Sequence, residues 1–370
     1  MKGRIKFFVV AILILCMGLF GAQALLAKDI TIGLSLATLF NITGQDILKA
    51  AKETSKAHDV DLIVTNAQGD VGKQIADIET LIERKVDALC VFALSPDAMK
   101  PVLEKANKRG IKTVSLDSRL MADGVVADVT SNNLMMGMMR AEWMERKASG
   151  FHGELWSGSH AYKELRRKGE KIDVVMFTVP SYDACRIREE GSRRAFESNP
   201  NINILESHAI VKVEAGMEEG RSKTQALLLK YPRKGQIDMI WCAYDHPAMG
   251  ASEALSAAGR EDIFVTGCDC GELITFNYIM KNKPACGSTA QKPYLWGKNG
   301  IELAVKYAKG EPVSRWYYCE TEMITPDNVH PYAYGRWPEK YVKGVKKHDI
   351  KLPSNAVAWL KPEDKYLLKY

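Results

Sequence analysis

Residues 236–271 read QIDMIWCAYDHPAMGASEALSAAGREDIFVTGCDCG: an apolar run, a small-residue stretch and a second apolar run in close succession. The first run ends in Tyr244-Asp245, the second in Asp269 between two cysteines. Short apolar runs bounded by polar residues and glycine read as buried strands, and PAMGASEALSAAG between them reads as a helix. A strand, helix, strand crossover puts both strand ends on one edge of a parallel sheet. Ligands of open parallel sheets bind outside the carboxyl ends of the strands, so Asp245 and Asp269 are both expected to face one crevice. Asp245 has a second reading, because Asp245-His246-Pro247 also has the pattern of a helix start, with Pro early in the first turn. Capping and ligand contact are compatible.

The same alternation extends in both directions. Upstream, ITIGLS, VDLIVTNA, VDALCVFA and KTVSLDS read as strands, and GQDILKAAKETSKAH, VGKQIADIETLIERK and DAMKPVLEKANKRG carry apolar residues at helical spacing. Four strands with three intervening helices make a doubly wound parallel unit. After ADVTSNN comes LMMGMMRAEWMERKAS, a helix whose methionines read as core packing. Residues 150–170 break the rhythm with Gly, Ser and charge and read as a surface insertion. IDVVMFT, DACRIREEGSRRAF, NILESHAI and GMEEGRSKTQALLLKY then lead into the opening stretch, and GELITFNYIMKN and ACGSTAQ follow it, completing a second α/β unit. YLWGKNGIELAVKYAKG reads as a helix, RWYYCETEMIT as one strand in need of a sheet edge, and the segment from Pro326 as a wrapping tail. Two such units facing each other imply a cleft suited to a small ligand.

At the N-terminus Lys2, Arg4 and Lys6 precede FFVVAILILCMGLFG and then Ala22-Gln23-Ala24, the charged region, apolar region and small-x-small site of an export signal over residues 1–24. The apolar run is shorter than the ~20 residues of a spanning helix. Cleavage removes three basic groups and no acids, so the formal charge falls from +6 to +3. That balance, without aromatic residues interleaved among the basic clusters, argues against a nucleic-acid partner. Seven cysteines remain after cleavage, an odd number, and Cys90 and Cys242 read as buried apolar residues. Cys268-Asp269-Cys270 has no partner pair or histidine cluster that would make it a metal site. The stretch from Ala67 to Gln74 sits where a phosphate loop would, but Ala67 and Gln74 replace its first Gly and its magnesium-holding Ser or Thr. No G-x-G-x-x-G follows the first strand, no histidines pair at zinc-hydrolase spacing, and no G-x-S-x-G elbow is present. The sequence thus predicts no catalytic residues, no metal and no cofactor, and a protein that is not an enzyme.

Six segments in this order carry a family resemblance: ITIGLSLATL, NAQGDVGKQIADIETLIERKVDALCVFALSPDAMKPVLEKANKRGIKTVSLDS, TSNN, AYDHPAMGASEAL, VTGCD and STAQKPYLWGKNGIELA. From about Ile30 to Val329 the chain resembles the periplasmic sugar-binding proteins of the ribose-binding type, soluble receptors of ABC importers. The resemblance implies a type 1 periplasmic binding fold: two Rossmann-like doubly wound parallel-sheet lobes joined by a three-segment hinge. Lobe 1 would take residues 25–131 and 292–325, lobe 2 residues 132–291, and residues 326–370 would follow as a tail on lobe 2. It implies ligand contacts from Asp117, Arg188, Asp269 and Gln291. Carboxylate, guanidinium and amide groups suit neighbouring sugar hydroxyls, each of which both donates and accepts. Phe40, Asn41, Phe92 and Tyr244 join the candidate ligand contacts, and Trp156, Tyr182 and Trp241 are further aromatic candidates for the C–H face of a sugar. For Arg188 the alternative is a surface residue pairing with glutamates at helical spacing.

The chain departs from the family's pattern. Gly44-Gln45 stands in place of paired Phe residues, Phe92 and Tyr244 in place of Asn, Ser118 in place of Arg with Arg119 next, and Asn132 in place of Asp at the first crossover. These changes imply a ligand other than ribose itself. The expected function is capture of a sugar or sugar-like polyol in the periplasm by a monomer that delivers it to an inner-membrane ABC permease. The alternative on the same fold is a receptor for a signalling molecule that presents its closed form to a chemoreceptor.

Overall fold

The structure is a computed structural model that describes residues 30–39, 42–148, 171–271 and 284–326, with 275, 278, 279, 328 and 329. Residues 1–24, which read as an export signal, Phe40, Asn41, the 150–170 stretch with Trp156, most of GELITFNYIMKN and the segment beyond Val329 lie outside the described residues. Strands β1 (Thr31–Leu36), β2 (Asp61–Asn66), β3 (Ala88–Phe92), β4 (Lys112–Leu116) and β5 (Val125–Ser131) alternate at first with helices α1 (Ile42–Ala57), α2 (Val71–Glu83) and α3 (Pro96–Lys108). The chain then runs through α4 (Asn133–Ala148), β6 (Ile172–Thr178), α5 (Asp183–Ser198), β7 (Ile202–Ala209) and α6 (Gly216–Lys230). It continues through β8 (Met239–Cys242), α7 (Asp245–Ala257), β9 (Phe264–Asp269), β10 (Ala285–Ala290), α8 (Pro293–Ala308), β11 (Trp316–Cys319) and β12 (Glu322–Ile324). Local chemistry fixes the helix starts: the Asp70 carboxylate accepts the Lys73 amide at 2.6 Å ahead of α2, and Pro96 and Pro293 open α3 and α8, where an N–H would have no partner.

The strands form two six-stranded sheets in the orders β11-β5-β4-β3-β1-β2 and β12-β10-β9-β8-β6-β7. All neighbours are parallel except β12, which runs antiparallel to β10. Within each lobe the first five strands are ordered 2-1-3-4-5, the doubly wound arrangement whose switch point opens a crevice at the carboxyl ends. The two doubly wound parallel-sheet lobes expected from sequence are therefore present. Helix α4 packs on α5 of the second lobe, and α8 returns to pack on α1 of the first. Each lobe has its own core, with Ile32, Leu34, Val114 and Trp296 in one and Val174, Phe177, Trp241 and Val265 in the other.

Two elements differ from the sequence expectation. Strand β5 falls in a stretch whose sequence does not read as a strand, because its alternation is masked by Asp128, which is buried and ion-paired to Arg315 at 2.8 Å. RWYYCETEMIT is not one strand: β11 extends the first sheet beside β5 and β12 extends the second beside β10. The chain therefore crosses between lobes at residues 320–321, a third crossing after those leading into α4 and α8.

The approach of α4 to α5 depends on two glycines. A Cβ on Gly137 would lie 2.1 Å from the Arg188 carbonyl oxygen, and one on Gly191 would lie 2.2 Å from that of Leu134. No side chain fits at either point, and the close contact brings the start of α4 against Arg188.

Candidate functional site

The carboxyl ends of the two sheets bring together Asp117 after β4, Arg188 on α5, Asp269 at the end of β9 and Gln291 after β10. Arg188 is 3% exposed, which removes the surface alternative. Its Nε donates to Asn133 Oδ1 at 2.8 Å, and its Nη1 lies 3.4 Å from the Ala243 carbonyl and 3.2 Å from Asp269 Oδ1. Burial disfavours the guanidinium charge, but Cys268, Asp269, Cys185 and Asp117 together outweigh it and hold Arg188 above the ordinary arginine pKa. Gln291 Nε2 donates to Asp269 Oδ1 at 2.5 Å, and the Gln291 amide donates to the Asp269 carbonyl at 3.2 Å.

Asp117 comes from the opposite lobe. Burial pushes its carboxyl up to about 6, with Asp269 adding to the rise and Arg188 and Ser118 opposing it. Its Oδ1, like Gln291 Oε1, is buried with no hydrogen-bond partner among the described residues. Asp117 and Asp269 both have positive φ, 68° and 106°, an uncommon and strained backbone for non-glycine residues that clusters at ligand sites. Beside Asp117, Arg119 reaches across the cleft mouth, its Nε and Nη2 donating to Asp183 Oδ2 at 2.9 and 2.7 Å.

The aromatic candidates divide. Tyr182, preceding α5, is 48% exposed at the second lobe's cleft-facing end, and burial, Cys185, Glu214 and Asp117 raise its phenol pKa. Phe92 packs in the first core. Tyr244 is buried, donates its hydroxyl to the Val213 carbonyl at 2.6 Å and has its phenol pKa raised by burial. Trp241 is core: it has no exposed surface, its Nε1 donates to Ser192 Oγ at 2.7 Å, and its ring lies 4.3 Å from the Arg140 guanidinium.

Asp245 corrects the sequence expectation. Tyr244 is the residue before α7, Asp245 sits inside its first turn, and its carboxylate neither caps the helix nor opens to the crevice. It is buried because donors converge on it from within: Oδ2 accepts from the Cys270 amide at 2.9 Å and the Thr275 hydroxyl at 3.1 Å, and Oδ1 from Ser288 at 2.7 Å. Burial, then the charge of Asp269, pushes it up to about 7.

Three features carry little or no signal in the sequence. Asn133, in TSNN, orients Arg188, and its signal is only its place directly after the first crossover. The Arg119–Asp183 bridge joins residues far apart in the chain. Arg140 lies within a helix read as methionine packing. Among the described residues no helix is long and apolar enough to cross a membrane, and no group of three or more His, Cys, Asp or Glu side chains is placed to hold a metal ion. An open hollow walled by Arg193, Phe196, Ile204 and Glu206 lies at the β7 edge of the second sheet, away from these groups.

This arrangement, two doubly wound lobes with polar strand ends converging between them, recurs in known proteins. A model of the periplasmic binding protein domain matches residues 32–312. The ribose import binding protein RbsB of Bacillus subtilis (strain 168) is 28% identical over 290 residues, covering 78% of this chain and 85% of the relative. The D-apiose import binding protein of Paraburkholderia graminis is 26% identical over 284 residues, covering 75% and 82%. A crystal structure of an ABC transporter periplasmic solute binding protein from Actinobacillus succinogenes 130z with bound D-allose superposes with a TM-score of 0.66 at 26% identity, covering 82% of this chain and 100% of that one. The family match spans most of the sequence and includes both lobes, and the chain belongs to the periplasmic binding protein domain family.

Proposed function

We propose that this protein is the solute-binding component of an ABC importer, that it captures a sugar or sugar-like polyol between its lobes, and that it hands the ligand to a membrane permease. The observation that carries this is the cluster of Asp117, Arg188, Asp269 and Gln291, drawn from both lobes, in which Asp117 Oδ1 and Gln291 Oε1 are buried without partners. A buried acceptor left unpaired costs ~1 to 3 kcal/mol, and a ligand hydroxyl between the lobes removes that penalty only when the cleft is shut. Closure would be a hinge motion at the three crossings, driven by contacts available only in the closed form. The half-exposed ring of Tyr182, near Asp117, supports a reading of it as cover for the C–H face of such a ligand, with Phe40, Asn41, Phe92 and Tyr244 as further candidate contacts. The relatives are import proteins named for ribose and D-apiose, which favours transport over a signalling output. The protein works as a binder without catalysis, and the basic, apolar and small-residue pattern of residues 1–24 is its export signal to the periplasm.

The test is thermal unfolding of the mature chain against D-ribose, D-allose, D-apiose, xylitol, myo-inositol and sugar acids. Ligand at 100 times its dissociation constant adds ~2.7 kcal/mol, a readily measured rise in melting temperature. No shift with any member of the panel overturns the assignment.

A further inference from the structure

Asp245 and Arg140 are buried charged residues that the binding cluster leaves unexplained. The amide that Asp245 Oδ2 accepts is that of Cys270, immediately after Asp269. Asp269 and Cys270 are consecutive non-glycine residues with φ of 106° and 45°, a turn the backbone would leave if nothing held it. The other two donors to Asp245 come from Thr275 and from Ser288 on β10, so one carboxylate fastens the end of β9 to the segment that follows its turn and to the neighbouring strand. Gly267 gives it room: a Cβ there would lie 2.2 Å from Asp245 Oδ1.

Arg140 works from beneath. It has no exposed surface, and its Nη1 donates to the Cys242 carbonyl at 2.8 Å and the Gly267 carbonyl at 2.6 Å. It thereby ties the end of β8 to the end of β9, while the Trp241 ring covers its face. Its Nε and Nη2 have no hydrogen-bond partner among the described residues, so this placement retains a buried charge that an apolar side chain would not impose.

We propose that Asp245 and Arg140 are positioning residues for binding: they hold the Asp269–Cys270 turn in its left-handed conformation and so aim the Asp269 carboxylate at the cleft. The proposal rests on the reading of Asp269 as a ligand contact, and its test separates the two. The turn itself is read without ligand, by amide hydrogen exchange on the mature chain. Asp245→Ala removes the acceptor of the Cys270 amide and is expected to speed its exchange at least ~10-fold, while Asp245→Asn, whose carbonyl still accepts, keeps most of the protection. Arg140→Met is expected to speed exchange over residues 267–270.

Binding is read by calorimetry with whichever of D-ribose, D-allose, xylitol or myo-inositol binds the wild type most tightly. Asp245→Ala is expected to lose at least ~10-fold in affinity, Asp245→Asn to restore most of it, and Asp245→Ala in an Asp269→Asn background to lose no more than Asp269→Asn alone. Unchanged Cys270 exchange in Asp245→Ala overturns the proposal, as do affinity losses that simply add. Should Asp245→Ala not fold, Ser288→Ala, which removes one anchor of the carboxylate, carries the same comparisons. If none of the four compounds binds, the titrations use whichever other member of the thermal-shift panel does; if the whole panel fails the sugar reading fails, and the exchange measurement still decides whether the turn is held as proposed.

Discussion

Replacing Gly137 with alanine tests whether helix packing sets the binding geometry. The added Cβ would lie 2.1 Å from the Arg188 carbonyl oxygen and 2.9 Å from both the Arg188 carbonyl carbon and the Ser192 amide nitrogen. These are backbone atoms that cannot rotate away, so α4 and α5 must separate by ~1 Å, at ~1 to 3 kcal/mol for overpacking. The contact most exposed to that shift spans the same helices, Asn133 Oδ1 on α4 to Arg188 Nε on α5 at 2.8 Å, and a further ångström takes it out of hydrogen-bonding range. Loss of a hydrogen bond to a charged group costs ~1.5 to 3 kcal/mol, and with Arg188 freed to turn from Asp269 the affinity for the best sugar of the panel should fall ~10- to 100-fold. Calorimetric titration measures the loss and chemical denaturation the stability. Gly259→Ala is the control: Gly259 has φ of 65° with no atom within 4 Å of the added Cβ, and it follows α7 at the end remote from the cleft. It should lose ~1 to 2 kcal/mol of stability through strain alone and bind sugar normally. Wild-type affinity in Gly137→Ala would refute the claim that this helix contact places Arg188.

Two further perturbations address the opposite lobe. Asp117 has its pKa raised to about 6, so ligand hydroxyls meet a carboxylate above that pH and a carboxylic acid below it, and sugar affinity should fall ~10-fold between pH 7 and pH 5. Stability of the ligand-free protein carries the opposite sign: with the folded pKa above the unfolded one, the folded state holds the extra proton, so the contribution of Asp117 declines as pH rises from about 4 to about 6 and is then flat. Asp117→Asn should remove the affinity trend and lessen the fall in stability between pH 4 and 6, the remainder belonging to Asp245, which is raised to about 7; a wild-type affinity profile in that variant would rule out Asp117 as its source. At the cleft mouth, a double-mutant cycle on Arg119 and Asp183 should give a coupling of up to ~1 kcal/mol in ligand affinity at low salt that shrinks at high salt, because the bridge is partly exposed and joins the lobes. Zero coupling at low salt would show that the bridge has no part in closure.

Most of the architecture was legible because it is written in period and punctuation. Buried parallel strands such as ALCVF and MIWC are unbroken apolar runs, and every described helix between them carries its own start signal or apolar stripe. Asp128 hid β5, because a buried charge breaks the pattern and its partner Arg315 lies far along the chain. The end of the chain misled for a related reason: RWYYCETEMIT has strand composition throughout, and only the positions of two separate sheet edges divide it. At the site, acids at strand ends could be located from sequence, but their direction could not. Asp269 is the last residue of β9 and Asp245 lies three residues beyond β8 in the first turn of α7; both close apolar runs, yet one turns inward, where Ser288, Thr275 and the Cys270 amide supply donors, and the other turns outward to Arg188 and Gln291. That choice depends on donors brought in by other segments, and no local pattern encodes it.

Phe92 and Tyr244 stand where the ribose-binding pattern has asparagine, and neither offers an amide: Phe92 packs in the first core, and the Tyr244 hydroxyl is committed to the Val213 carbonyl. Arg188 commits its Nε and Nη1 to Asn133, Ala243 and Asp269, while Asp117 Oδ1 and Gln291 Oε1 remain unpaired acceptors. Relative to the family's pattern the cleft has lost amide groups, which both donate and accept, and kept its carboxylates, which only accept when ionised. A guest rich in hydroxyl donors meets that balance, whereas an added carboxylate on the guest would face Asp117 and Asp269 with one arginine already engaged. The asparagine replacements and the retained acids therefore predict that a neutral polyol binds more tightly than the matching sugar acid, and calorimetry that finds the acid binding as tightly would refute this.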